Sequence, residues 1–322
     1  MKANDSIFRA YDIRGVYPGD FDDEFAFRLG NAVAVSLGAK HLIVGKDGRT
    51  SSEELAKQVI AGAQAAGADV TWLSKCSVPL FYFSVDASGA DGGIMVTASH
   101  NPGEYNGFKV EKRKPGGGTE LINGPELKQF LEQALPVQGG SGSMQQRSFV
   151  HEYAEHVVSL VGGKVAPTIA GIQGPLGTEE VLHAIAELAG LRVLIAEPAR
   201  LIADFDSDGD RIVFVEDGER IPPEFVFMLL TEHLGFKSVV HDVRFSRSIR
   251  ERLRELGIAA TESRAGRRYL RQAMEQAGAD FGGELSGHFF FKSMGNREAP
   301  EMVLMHILNI IAKEQKTLAQ LV

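Results

Sequence analysis

Short β-branched runs alternate with helix-length stretches along almost the whole chain, and that alternation restricts the fold more than any other feature. It signals α/β layering, with strands buried between helices. Residues 41–45 (HLIVG) read as a buried strand. Ser51-Ser52-Glu53-Glu54 then opens a helix, with a hydroxyl cap and acids in its first turn, that runs to about Ala66 and stops at Gly67. Residues 69–73 (DVTWL) and 93–97 (GIMVT) are further strands, and 125–134 is a helix with Pro in its first turn. Residues 137–148 (VQGGSGSMQQRS) are rich in Gly, Ser and Gln and read as a linker. Beyond it the spacing predicts helices near 149–161 and 178–189 and strands at 191–196, 201–203 and 212–215. A last stretch holds helices at 223–234, 246–256, 267–276 and 300–313, a strand at 238–242 and a segment at 287–292. The fold expected is three consecutive α/β units with mixed sheets, over 1–138, 149–220 (shortened) and 221–322.

Composition narrows the function classes. The 322 residues carry a net charge of −8, which argues against a general nucleic-acid binder. A single cysteine, Cys76, excludes an intrachain disulfide framework and a four-cysteine zinc site, and suits a reducing compartment. No apolar stretch follows Met1, and the longest apolar helix pattern is interrupted by His306, Asn309 and Lys313. No secretory signal and no membrane span are expected, and the expected compartment is the cytoplasm.

Two loops carry chemistry. In residues 95–110 (MVTASHNPGEYNGFKV) an apolar strand ends at Ser99, His100, Asn101 and Pro102, and Lys109 follows on a second short strand. A serine just past a strand end sits where α/β sheets expose ligand-binding loops. Neighbouring Ser and His residues in a strand point apart, so the pair alone is no nucleophile and base. In residues 202–215 (IADFDSDGDRIVFV) Asp204, Asp206, Asp208 and Asp210 alternate ahead of Arg211. So many carboxylates in so few residues call for a positive partner, and a hard divalent cation with oxygen ligands is the natural one. An EF-hand fails, because its twelfth loop position falls on Val215. An aspartyl phosphatase fits poorly, because Asp208 stands where Thr or Val is wanted. Neither a dinucleotide fingerprint nor a P-loop occurs.

Taken in order, IFRAYDIRG at 7–15, TASHNP with YNG-x-K, D-x-D-x-D-R, and GELSGH at 283–288 resemble the α-D-phosphohexomutase family, in particular bacterial phosphomannomutase/phosphoglucomutase. The resemblance implies transfer of phosphate between the 1- and 6-positions of mannose or glucose phosphate, through a phosphorylated Ser99 and a bisphosphate intermediate. It implies Mg2+ held by Ser99, Asp206, Asp208 and Asp210, and glucose 1,6-bisphosphate or its mannose equivalent as activator. Arg14 and Lys109 become candidates for acid–base help, with His100 as a supporting catalytic-loop residue. Lysine serves if neighbouring cations depress its pKa. Glu284 and Ser286 would read sugar hydroxyls, and His288, Arg244, Arg211 and Tyr11 would be further substrate contacts, Tyr11 also packing in the core. Residues 46–49 (KDGR) read as loop scaffolding. Leu285, where phosphoglucosamine mutases usually have Gln, favours a hexose substrate, with phosphoglucosamine mutase as a further alternative. Arg267 stands where the family frequently has His, which leaves its role open. Relatives of this family usually carry a fourth domain with an R-x-S-x-T-x-P phosphate clamp, and no such loop occurs in these residues. Impaired turnover, leakage toward hydrolysis, and completion by self-association or a second chain are therefore expectations, with a non-mutase remnant that binds Mg2+ and sugar phosphate as the alternative.

Overall fold

A carboxylate starts the first long helix: Asp22 accepts from the Phe25 amide 2.9 Å away, and Gly38 ends the helix in a left-handed cap. This is seen in a computed structural model, in which the structure describes residues 3–115, 118–134, 139–162, 169–173, 178–195 and 199–322. The chain divides into two compact units, Met1–Phe149 and Val150–Val322.

The first unit is one mixed sheet with helices. Its strands are β1 (Ile13–Val16), β2 (His41–Lys46), β3 (Asp69–Lys75), β4 (Gly92–Val96), β5 (Tyr105–Arg113), β6 (Thr119–Ile122) and β7 (Met144–Gln146). They are ordered β1-β5-β4-β2-β3-β7, with β6 on β5. Strands β4, β2, β3 and β7 run parallel, whereas β5 runs antiparallel to β1, β4 and β6. Helices α1 (Asp23–Leu37), α2 (Ser52–Ala65), α3 (Val78–Ser88) and α4 (Gly124–Gln133) complete the unit. Phe21, Phe25 and Phe108 meet in its core with ring centroids 5.6–6.2 Å apart.

The second unit has two sheets. Helix α5 (Val150–Val161) precedes β8 (Ile169–Gln173), α6 (Glu179–Ala189), β9 (Arg192–Ile195), β10 (Leu201–Phe205), β11 (Ile212–Glu216) and β12 (Glu219–Ile221), whose sheet order is β12-β11-β10-β8-β9. Helix α7 (Pro223–His233), β13 (Ser238–Asp242), α8 (Arg247–Glu255), β14 (Ala259–Ser263), α9 (Arg267–Ala277), β15 (Phe281–Gly283), β16 (Phe289–Phe291), β17 (Arg297–Glu298) and α10 (Pro300–Glu314) follow. This sheet is ordered β14-β13-β15-β16-β17. Phe281 stacks on Phe227 at its centre, with centroids 5.1 Å apart and planes at 15°. Among the described residues no helix is long and apolar enough to cross a membrane.

Expected elements recur within a few residues of their places, with two corrections. Ser51 makes no side-chain cap, and Ser52 Oγ instead donates to Asp47 Oδ1 at 2.6 Å. The expected linker, whose first two residues lie outside the described ones, is docked from residue 139 onward. Ser143 donates through N and Oγ to Asp69 Oδ1, both at 2.7 Å, and 144–146 add β7 beside β3. A Cβ on Gly142 would come within 2.0 Å of Ala68 O, so this glycine permits close packing of backbone on backbone. The expected strand end at position 196 also lies outside the described residues.

Candidate functional site

In the first unit, β4 ends and the chain turns sharply at Ser99, which is buried and left-handed at φ 52°. A non-glycine residue in that region is strained, and strain of this kind persists only where neighbours over-determine it. Arg49 is the neighbour that does so. Its Nη2 donates to the carbonyls of Ser99 and Asn101, both at 2.6 Å, and its Nη1 to those of Pro102 and Tyr105 at 2.7 and 3.1 Å. Asp47 holds the guanidinium from behind, 3.1 Å from Nε. Residues 46–49 thus act as the scaffold expected of them, because one planar fork can gather several carbonyls that a lysine could not. Ser99 N also donates to Thr97 Oγ1 at 2.9 Å.

Because Ser99 leaves the strand conformation, the expectation that Ser99 and His100 point apart is corrected: Ser99 Oγ lies 3.3 Å from His100 Nδ1. His100 is itself exposed. Arg14 on β1 reaches the same turn, donating to Asn101 Oδ1 at 3.0 Å while Asp12 accepts from its Nε at 2.9 Å. Lys109 is 1% exposed on β5, in register with Met95 of β4. Tyr11 is half-buried, outside the core that was one of its two expected places.

In the second unit, antiparallel β10 and β11 are joined by the acidic loop. Asp206 Oδ1 accepts from the amides of Asp210 and Arg211, both at 3.1 Å, which closes the loop on itself. Carboxylate oxygens of Asp206, Asp208 and Asp210 lie within 4.8 Å of one another, and Asp208 and Asp210 are buried. Asp204 is exposed on β10 and belongs to no such group. Burial, with the charges of Asp210 and Asp208, pushes Asp206 up to about 7, even though Arg211 and His288 act in the opposite sense. Three carboxylates this close together fit a hard cation, which takes oxygen ligands.

The 284–288 turn packs on this loop. Ile212 N donates to Gly287 O at 3.0 Å, and Gly287, at φ +92°, leaves no room for a Cβ, which would sit 2.7 Å from Ile212 O. Glu284 is buried, and accepts from Gly266 N at 2.9 Å and Ser286 Oγ at 3.0 Å. His288 joins the two loops, with Nδ1 3.3 Å from Glu284 and Nε2 3.3 Å from Asp210. Burial works against its charge, but Asp210 and Glu284 outweigh burial and raise His288 to about 9. Burial would raise Glu284, yet the bonds from His288, Ser286 and Gly266 hold it below the usual carboxylate range.

The residues of the 284–288 turn and the aspartates are therefore brought together. Arg244 is half exposed at the margin, forked onto Asp242, whose carboxylate also accepts from Leu285 N at 3.3 Å. Arg267, whose role the sequence left open, is buried inside the cluster: its Nη2 lies 2.5 Å from Asp210 and its Nε 3.6 Å from Glu298. Glu298 went unnoticed in the sequence, because a Glu before an Ala-Pro helix start carries no pattern. Asp210, His288 and Glu298 form a second donor group within 4.8 Å. A pocket of about 590 Å³, lined by Leu234, Phe236, Phe291, Met302 and His306 among others, shares no residue with either loop.

Two family models match the chain: phosphoglucomutase/phosphomannomutase, alpha/beta/alpha domain I, over residues 5–120, and domain III of the same description over 223–322. The chain is 29% identical over 353 residues to a phosphomannomutase of Methanocaldococcus jannaschii, covering 98% of this chain and 78% of that protein. It is 30% identical over 329 residues to a phosphoglucomutase of Neisseria gonorrhoeae, covering 89% and 70%. A crystal structure of a phosphoglucomutase/phosphomannomutase family protein from Burkholderia thailandensis superposes with a TM-score of 0.85 at 26% identity, covering 99% of this chain and 79% of that one.

Proposed function

The chain belongs to the phosphoglucomutase/phosphomannomutase family, and from that membership we propose that it moves phosphate between the 1- and 6-positions of a hexose phosphate through a phosphoserine at Ser99. Its curated relatives named above are phosphohexose mutases, which are isomerases. The observation that carries the reading is the Ser99 turn: a buried, left-handed serine whose surrounding carbonyls are gathered by one guanidinium. Such a turn holds a nucleophilic oxygen in a fixed direction, and phosphoryl transfer depends mainly on positioning and charge neutralisation.

In the forward half, a free sugar hydroxyl bonds to the phosphorus of phosphorylated Ser99 as the Oγ–P bond breaks, and the hydroxyl proton leaves to a base. Ser99 Oγ takes up a proton as it leaves. The bisphosphate turns over, and Oγ then bonds to the phosphorus of its other phosphoryl group as that sugar O–P bond breaks, the Oγ proton passing to the freed sugar oxygen. His100, with Nδ1 3.3 Å from Oγ, positions the serine, and Arg14 and Lys109 supply positive charge and proton traffic on the first unit. On the second unit Asp206, Asp208 and Asp210 would hold the metal, and Mg2+ bound there would supply charge neutralisation. Glu284 and Ser286, bonded to each other here, exchange that bond for sugar hydroxyls, and His288 ties them to the acidic loop. Arg211, Arg244 and Tyr11 contribute at the edges of the two loops. Three domains, one per sheet, are part of the same proposal.

The test is an intact-mass measurement followed by a coupled assay. Purified protein is expected to carry one added phosphoryl mass that vanishes in Ser99→Ala. With glucose 1-phosphate, Mg2+ and glucose 1,6-bisphosphate the wild type should turn over, and Ser99→Ala should lose at least about a thousandfold of that rate. Turnover unchanged in Ser99→Ala sinks the proposal, and inorganic phosphate released without isomerisation moves the chain to a hydrolytic reading.

A further inference from the structure

We propose that Arg267 sets how tightly the acidic loop holds a divalent cation, by occupying Asp210 as an internal counter-ion; the inference rests on the metal reading of that loop. Arg267 is the first residue of α9, where a cation opposes the helix dipole, and neither an acidic residue in the first turn nor a side-chain cap from Gly266 offsets it. Its position therefore serves something other than the helix. The side chain is only 7% exposed, and its Nη2 lies 2.5 Å from Asp210 Oδ2. The other oxygen of Asp210 faces His288 Nε2 at 3.3 Å and Arg211 Nε at 3.8 Å. Asp210 thus has cations on both of its oxygens.

Behind Arg267 stands Glu298, fully buried, with Oε1 3.6 Å from Nε and no hydrogen bond to either oxygen. A buried carboxylate without hydrogen bonds is costly unless a charge faces it; Arg267 is such a charge, with a ring nitrogen of His288 within 4.8 Å as a second. Glu298 in turn holds the guanidinium in place. A hard cation that takes an oxygen from Asp210 has to win it from this fork while being repelled by the fork's charge. Arg267 is a positioning residue: it keeps two buried carboxylates neutralised in the absence of metal, and weakens metal binding for the same reason.

The experiment is calorimetric titration of the metal-free full chain with Mn2+, in wild type, Arg267→Gln, Arg267→Lys, Asp208→Asn and the charge-balanced double variant Arg267→Gln with Glu298→Gln. Arg267→Gln is expected to bind Mn2+ at least about tenfold tighter than wild type, because one buried opposing charge is gone. Arg267→Lys keeps the charge and should stay within about threefold of wild type. The double variant buries no surplus carboxylate, so it carries the test if the single variant fails to fold, and it too should bind tighter than wild type. Equal or weaker binding in both Gln variants, with wild-type circular dichroism, overturns the inference while leaving the metal reading intact. Wild-type binding that persists undiminished in Asp208→Asn, or no uptake by any variant, overturns the metal reading and the inference with it.

Discussion

The Ser99 turn and the acidic loop are both short connections between strands, yet they are held by opposite means. At Ser99 one guanidinium gathers neutral carbonyls, and its own charge is met by Asp47. In the acidic loop carboxylates face carboxylates: Asp206, Asp208, Asp210, Glu284 and Glu298 are set against Arg211, Arg267 and His288. The first is a matter of hydrogen-bond geometry and is complete as it stands. The second is a matter of charge, and its surplus is what a cation would relieve. Directional bonds fix where an atom points, and surplus charge fixes what will be attracted; a phosphoryl-transfer enzyme needs both.

The comparison breaks first at Arg49. Arg49→Lys keeps the charge but loses the fork, and activity in the coupled assay should fall at least about a hundredfold, with stability down by about 2–3 kcal/mol in urea titration. A variant with near-normal turnover would mean that charge, not geometry, holds the turn. The second unit's habit of burying carboxylates recurs at Glu301, whose Oε2 accepts from Tyr153 Oη at 3.0 Å and which burial pushes up to about 7. Its folded pKa lies above its ordinary 4.5, so the folded chain holds the proton more firmly, and stability falls as pH rises from 4.5 through 7. Glu301→Gln should therefore be nearly neutral at pH 4 and more stable than wild type by about 2 kcal/mol at pH 8, read as the difference in Tm. A gain equal at both pH values would assign the effect to packing. The smallest effect is at Asp208. Asp208→Asn removes one charge from the surplus, so the metal-free chain should gain about 1 kcal/mol while Mg2+ no longer raises its Tm. A loss of stability without metal would show that the loop's charges are already balanced.

The sequence made the two loops visible because each is a dense local pattern: four alternating aspartates, and a serine just past an apolar strand. What it hid was whatever depends on distant partners. Arg267 meets Asp210 across 57 residues, and the spacing of neither reveals the other. Helix α3 escaped notice because it is apolar on nearly every side (VPLFYFSVDAS), so no 3.6-residue stripe stands out, and α1 (DEFAFRLGNAVAVSL) has buried residues on several faces for the same reason. Strand β7 is exposed at all three residues and is a strand only through its backbone pairing to β3, which leaves no alternation to read. Composition misled at 139–148, where glycine and serine mark close packing rather than freedom.

That docked stretch decides where the chain can be cut. Gly140 N donates to Ala65 O at 3.0 Å, Gln64 Nε2 to Gly142 O at 2.8 Å, and buried Phe149 carries Arg147 over its ring. A protease must peel a strand off the sheet before it can thread such a segment into its cleft. A fragment that stops at 138 would leave the β3 edge bare, with a ready template for sticking to its neighbours, whereas one carried through Phe149 keeps that edge sealed.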